Sequence, residues 1–145
     1  MTVKPIPDGY QSITPFMLAT NVEDLLNFLQ QAFDAEVTTR MDYPDGGGIM
    51  HVEVKIGNSR VMMGPSSEEF PPMPAMLYYF VEDVDRVYQQ ALKAGAQSVQ
   101  EPEDQFYGDR TAGVSDPLGN AWWLATHIED PTPEEIARRI QELGQ

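Results

Sequence analysis

The sequence predicts an α+β fold in which two βαβββ modules form a curved eight-stranded mixed sheet around a cavity, followed by a C-terminal helix. Three observations predict it. An amphipathic helix pattern occurs twice, with the copies 59 residues apart. Each copy has one strand-like run before it and three after it. Turn signals separate these runs in both halves.

In the first half Ser12–Ala19 is strand-like. Residues 22–35 (VEDLLNFLQQAFDA) then carry Leu25, Phe28, Leu29, Ala32 and Phe33 on one helical stripe. Glu36–Asp42, Ile49–Ile56 and Ser59–Gly64 follow as strands, parted by Pro44-Asp45-Gly46-Gly47-Gly48 and Gly57-Asn58. The second half repeats the order. Ala75–Val81 precedes residues 81–94 (VEDVDRVYQQALKA), whose stripe is Val84, Val87, Tyr88, Ala91 and Leu92. Ser98–Gln105, Arg110–Ser115 and Asn120–Thr126 follow, parted by Gly108-Asp109 and by Asp116-Pro117-Leu118-Gly119-Asn120. The two helical segments share Val, Glu, Asp, Gln, Gln, Ala and Ala at matching places, and their acidic first turns suit the helix dipole.

The expected organisation is a single domain over residues 1–145, with module one at about 10–64, a Pro-rich connection at 65–74 (PSSEEFPPMP) and module two at about 75–127. Each module covers one sheet face with its helix and leaves the other bare, so two modules can curl their bare faces around a common cavity. The last helix is expected at about 132–143. Thr132 is its N-cap, Pro133 fits the first turn and Glu135 completes a capping box. Glu134–Arg138 and Glu135–Arg139 are i,i+4 pairs. Ile136, Ile140 and Leu143 form a narrow stripe suited to docking on the same domain or on a partner subunit.

Composition narrows the function. The absence of cysteine removes disulfides and thiolate metal sites. With 9 basic and 23 acidic residues the net charge is −14, and no Lys/Arg cluster offers a phosphate-tracking surface, so nucleic acid is not an expected partner. No run of 18 apolar residues occurs, and residues 1–8 lack a basic start followed by an apolar stretch. We expect a soluble cytoplasmic protein with no membrane partner. The acidity either serves solubility or draws a cationic ligand toward the cavity.

The repeated module, the helix start N-V-E-D-L-L-N-F-L (Asn21–Leu29) and the D-P-L-G-N turn (Asp116–Asn120) resemble the vicinal oxygen chelate superfamily. That group includes glyoxalase I, fosfomycin-resistance enzymes, extradiol dioxygenases and bleomycin-binding proteins. The likeness covers about residues 10–127. It implies two modules around a cavity, a homodimer and, in the enzymes, a divalent metal on His and Glu ligands. Counting from the shared motifs places those ligand positions at Thr14, Val61, Met76 and Trp123, and none of these supplies an imidazole or carboxylate. We therefore expect no metal at that site and no cofactor. The resemblance then implies either a small-molecule binder, with a cationic or aromatic ligand, or a lyase- or dioxygenase-like enzyme using a non-standard site.

Cavity candidates follow from strand parity. On Ile49–Ile56 the apolar Met50, Val52, Val54 and Ile56 should pack on the helix, leaving His51 and Glu53 on the bare face to bind a ligand, to bind a metal, or to face solvent. Met62 and Met63 take opposite faces. Met76, Tyr78 and Phe80 share one face, suiting an adaptable apolar pocket. Trp122 and Trp123 point to opposite sides, so Trp123 either presents a flat aromatic surface to the cavity or fills the core. Tyr107 and Arg110 flank the penultimate strand, where Arg110 either clamps an anion or forms a structural pair with Asp109. His127 shares the parity of Trp123 near the strand end.

Overall fold

The computed structural model describes residues 2–144. The order is β1 (Phe16–Ala19), α1 (Val22–Phe33), β2 (Glu36–Asp42), β3 (Ile49–Ile56), β4 (Ser59–Pro65), β5 (Met76–Phe80), α2 (Val84–Lys93), β6 (Gln97–Asp104), β7 (Asp109–Ser115), β8 (Ala121–His127) and α3 (Pro133–Leu143). The eight strands pair as two mixed four-stranded sheets, β1-β4-β3-β2 and β5-β8-β7-β6. In each, the first and last strands of the module run parallel and the other pairs antiparallel.

Local chemistry sets the helix limits. Asn21 caps α1 by accepting from Asp24 N at 3.0 Å. In the second module Asp83 is the cap, accepting from Arg86 N at 3.1 Å. Helix α2 therefore starts one turn later than the repeated Val-Glu-Asp suggests. Thr126 explains the difference: its hydroxyl donates to Val81 O and accepts from Val84 N, each at 2.9 Å, which holds residues 81–83 as a connection.

The buried stripes match the repeat. Leu25, Phe28, Leu29 and Ala32 of α1 and Val84, Val87, Tyr88 and Ala91 of α2 join strand residues of both sheets in one continuous cluster. Fully burying a large apolar side chain contributes roughly 1.5–3 kcal/mol. The helices pack on each other, and Gln90 Nε2 donates to Gln31 O at 2.9 Å across them. Phe33 carries the core between modules, with ring centroids 5.3 Å from Tyr79 and 4.8 Å from Trp122.

The D-P-L-G-N turn has a structural task. The buried Asp116 carboxylate accepts from Leu118 N, Asn120 N, Asn120 Nδ2 and Trp122 Nε1 at 2.9–3.0 Å. Asn120 Oδ1 in turn accepts from Ala75 N at 2.8 Å, fixing the start of β5 beside β8.

Two local expectations are corrected. Met50 does not pack on α1; it is exposed, and Ile49 is buried instead. A register shift at Met41/Asp42 turns the start of β3 over, and Ile49 N donates to Glu23 Oε1 at 2.9 Å. In α3, Thr132 caps and Glu135 pairs with Arg139 as expected, but Arg138 pairs with Glu135 and Glu142 rather than Glu134. None of the α3 residues is buried. The helix is held to the body through Arg139 Nη1, which donates to Phe106 O at 2.9 Å.

Candidate functional site

Register builds a matching row of side chains across each bare face, since directly paired residues point the same way. In module one the row is Phe16, Met62, Glu53 and Thr39. In module two it is Tyr78, Trp123, Gly113 and Gln100. Trp123 therefore corresponds to Met62. Val61 pairs with Val54 and is buried on the helix side, so the count that placed a family ligand position at Val61 is one residue off. A single-residue slip exchanges the two faces of a strand. The small Gly113 lets the Trp123 ring lie close over β7; a Cβ there would meet that ring at 2.8 Å.

His51 and Glu53 are brought together. His51 Nε2 and Glu53 Oε2 are 2.7 Å apart, with both side chains largely covered. The Phe16 ring lies 5.6 Å from the imidazole. Met76, Tyr78 and Phe80 share the bare face of β5, and the Tyr78 and Phe80 rings meet edge-on at 5.2 Å. Arg110 stands apart from this group. It lies opposite Thr126 on the helix side and pairs with Asp85 at 3.1 Å and Asp104 at 3.0 Å, not with Asp109. These two carboxylates, Asp104 first, raise the guanidinium pKa further.

Asp109 forms the centre of a cluster that strand parity alone left in a turn. Its carboxylate accepts from Tyr78 Oη at 2.6 Å and bonds His127 Nδ1 at 2.7 Å. The other imidazole nitrogen, Nε2, bonds Asp130 at 2.7 Å, and Tyr107 Oη lies 3.4 Å from Tyr78 Oη. Burial, then the bond to Asp109, pushes the Tyr78 phenol pKa far above its ordinary value, so this hydroxyl keeps its proton and donates. The bond to Asp130, then that to Asp109, raises the His127 pKa, favouring the imidazolium that donates from both nitrogens. A strand beginning at Asp109 instead of Arg110 would have put this carboxylate in phase with Thr111 and Gly113 on the bare face.

A cavity of about 590 Å³ opens where the modules meet along β5, between Pro15, Ile56 and Ser59 on one side and Tyr78, Phe80 and Trp122 on the other. Tyr78 thus touches both the cavity and the Asp109 cluster.

A profile of the Glyoxalase/Bleomycin resistance protein/Dioxygenase superfamily matches residues 13–124. The chain belongs to this superfamily. An uncharacterised protein of Mycobacterium bovis is 29% identical over 147 aligned positions, covering 92% of this chain and 94% of the relative. The fold is similar to TioX from Micromonospora sp. ML1 (TM-score 0.71, 23% identity, 81% of this chain and 99% of that one). It is also similar to a superfamily member from Nocardioides (TM-score 0.63, 15% identity, 91% and 90%). These structural likenesses concern the fold.

The superfamily's divalent metal does not fit these residues. Thr14, Met76 and Trp123 provide no imidazole or carboxylate at the positions concerned, and the module-one counterpart of Trp123 is the thioether Met62. Among the described residues, no three His, Asp or Glu side chains converge to hold a metal ion. Nor is any helix of the described residues long and apolar enough to cross a membrane.

Proposed function

We propose that this protein is a small-molecule binder of the glyoxalase and bleomycin-resistance type, taking a cationic or aromatic ligand against its bare sheet faces without a catalytic metal or cofactor. The supporting observation is the exposure of Phe16, Met76, Tyr78 and Phe80, at 45–71% in the single chain. Met76, Tyr78 and Phe80 share one face of β5, and a contiguous apolar patch of this kind is the usual surface of an interaction site. The net charge of −14 adds a field that concentrates cations. In a cytoplasmic homodimer, a second chain placed over the bare faces, or exchanging a module, would close the cavity.

Thermal shift against cationic glycopeptides, aromatic antibiotics and 2-oxoaldehyde–thiol adducts tests this. A ligand should stabilise the fold by RT ln(1 + [L]/Kd), so that the melting temperature climbs with ligand concentration, and it should be recovered unchanged. A flat response across the whole panel would sink the proposal.

The His51–Glu53 pair favours a second reading, an enzyme with a non-standard site. With Nε2 engaged by Glu53, Nδ1 is the nitrogen left to act on a substrate. Product formation that disappears in His51→Ala and Glu53→Gln would establish it.

A further inference from the structure

The chain has six arginines, and five of them donate to a side chain: Arg40, Arg110, Arg138 and Arg139 to carboxylates, and Arg86 to Gln90. Arg60 on β4 is the exception. Despite the 23 acidic residues of the chain, no carboxylate among the described residues pairs with it. Its guanidinium lies over the Tyr10 ring, 5.4 Å from the centroid, and against Gly9, where a Cβ would meet Nη2 at 2.6 Å. These contacts hold the group in place without giving its N–H donors an acceptor. Arg60 lines a hollow of about 300 Å³ with Gln11, Ile13, Thr14, Pro15 and Ser59. Pro15 and Ser59 also line the cavity of about 590 Å³ at the seam between the modules, so the two hollows adjoin. The larger one has apolar walls on the helix side of the strands. Ile56, Val61 and Trp122 belong to the core cluster, and Leu77 and Tyr79 pack against it.

We infer that the seam cavity and its neighbour form a second binding site, for an organic monoanion whose apolar body lies between Val61, Leu77, Tyr79 and Trp122 and whose carboxylate lies on Arg60. This goes beyond the binding role proposed above, since the site is on the helix side of the strands and its ligand is an anion. A guanidinium presents a planar fork of N–H donors that matches a carboxylate with two parallel hydrogen bonds. Gln11 and Thr14 add an amide and a hydroxyl beside it. One unpaired cation balances one negative charge. A monocarboxylate therefore suits the site better than a phosphate dianion, in a chain whose net charge of −14 repels anions. The same field makes Arg60 decisive, because an acid without that partner loses its advantage over an uncharged analogue. Apolar walls with a few convergent polar groups, in a volume of this size, are the ordinary make-up of a small-molecule site.

Calorimetric titration of the full chain with phenylbutanoate and with its uncharged amide tests the site. Wild-type protein should bind the acid roughly tenfold or more tightly than the amide, the effect expected of a charge-assisted pair of hydrogen bonds. Arg60→Gln should abolish that preference by weakening the acid. Lys93→Gln, which removes the same charge from the exposed end of α2, should keep it. In the magnetic resonance spectrum of the wild type, the acid should shift the Trp122 indole N–H and the backbone amides of Asn58 and Ser59. If Arg60→Gln does not fold, the wild-type affinity ratio and these shifts decide alone. Equal affinities for acid and amide, or a preference that survives Arg60→Gln, overturn the anion site. So does failure of the acid to bind, and so do shifts at the Trp123 indole without shifts at Trp122, which would put the probe on the bare face. The role proposed for the bare faces is judged separately, because a cationic ligand from the thermal-shift panel needs neither Arg60 nor the seam cavity.

Discussion

Trp122 and Trp123 are neighbours in sequence with opposite surroundings. Trp122 is buried against Phe33 and donates to Asp116, whereas Trp123 lies over Gly113 on the bare face. Trp122→Ala should therefore cost about 3–5 kcal/mol, as for a packed aromatic. Trp123→Ala should cost less but reduce ligand affinity more. Urea unfolding of both variants checks this, and the opposite ranking would mean that the roles are exchanged. His127 carries a pH prediction. Its pKa is raised above the ordinary 6.5 by Asp130 and Asp109, so its contribution to stability is complete below about 6.5 and is lost as pH rises through the folded value. Melting temperature should fall over that interval in the wild type, and the fall should be smaller in His127→Gln.

At the scale of single elements, the D-P-L-G-N turn is a joint. Asp116→Ala would strand four donors, two of them on the buried Asn120 and one on the buried Trp122. Leaving buried donors without partners costs about 1–3 kcal/mol each, and several share this one carboxylate, so a loss above about 3 kcal/mol is expected by chemical denaturation. By contrast Asp83→Ala removes one exposed cap from α2 and should cost about 1 kcal/mol. Helix α3 should behave as a separate, weaker unit, since it buries no residue. Arg139→Ala releases Phe106 O, Glu129 and Glu135 together, and hydrogen exchange should quicken across α3 while the sheets stay protected.

For the whole molecule, two bare sheet faces and the exposed Ile140 and Leu143 of α3 leave much apolar surface uncovered in one chain. Sedimentation equilibrium should give twice the 16.3 kDa chain mass. A concentration-independent monomer would require the ligand alone to cover these faces. The pairing of each histidine with a carboxylate on a bare face also gives the two modules parallel chemistry. His51–Glu53 sits in one and His127–Asp109 in the other, each at 2.7 Å.

What the sequence by itself determined is local. The duplicated stripes, the turn residues between strands and the capping box of α3 each depend on neighbours within one or two turns or a hairpin, and they predicted every element to within a few residues. Strand alternation likewise separated Trp122 from Trp123 and grouped Met76, Tyr78 and Phe80, because the period of two is a property of the chain alone. Tertiary structure decided the rest. The start of α2 is set by Thr126, 45 residues from Val81. The partners of Arg110 come from α2 and β6, and a bulge at the end of β2 exchanges Ile49 for Met50. The Asp109 cluster joins β5, β7 and β8 with the segment before α3. A polar pair forms where register between distant strands brings two groups within hydrogen-bond reach, and register is a property of the assembled sheet.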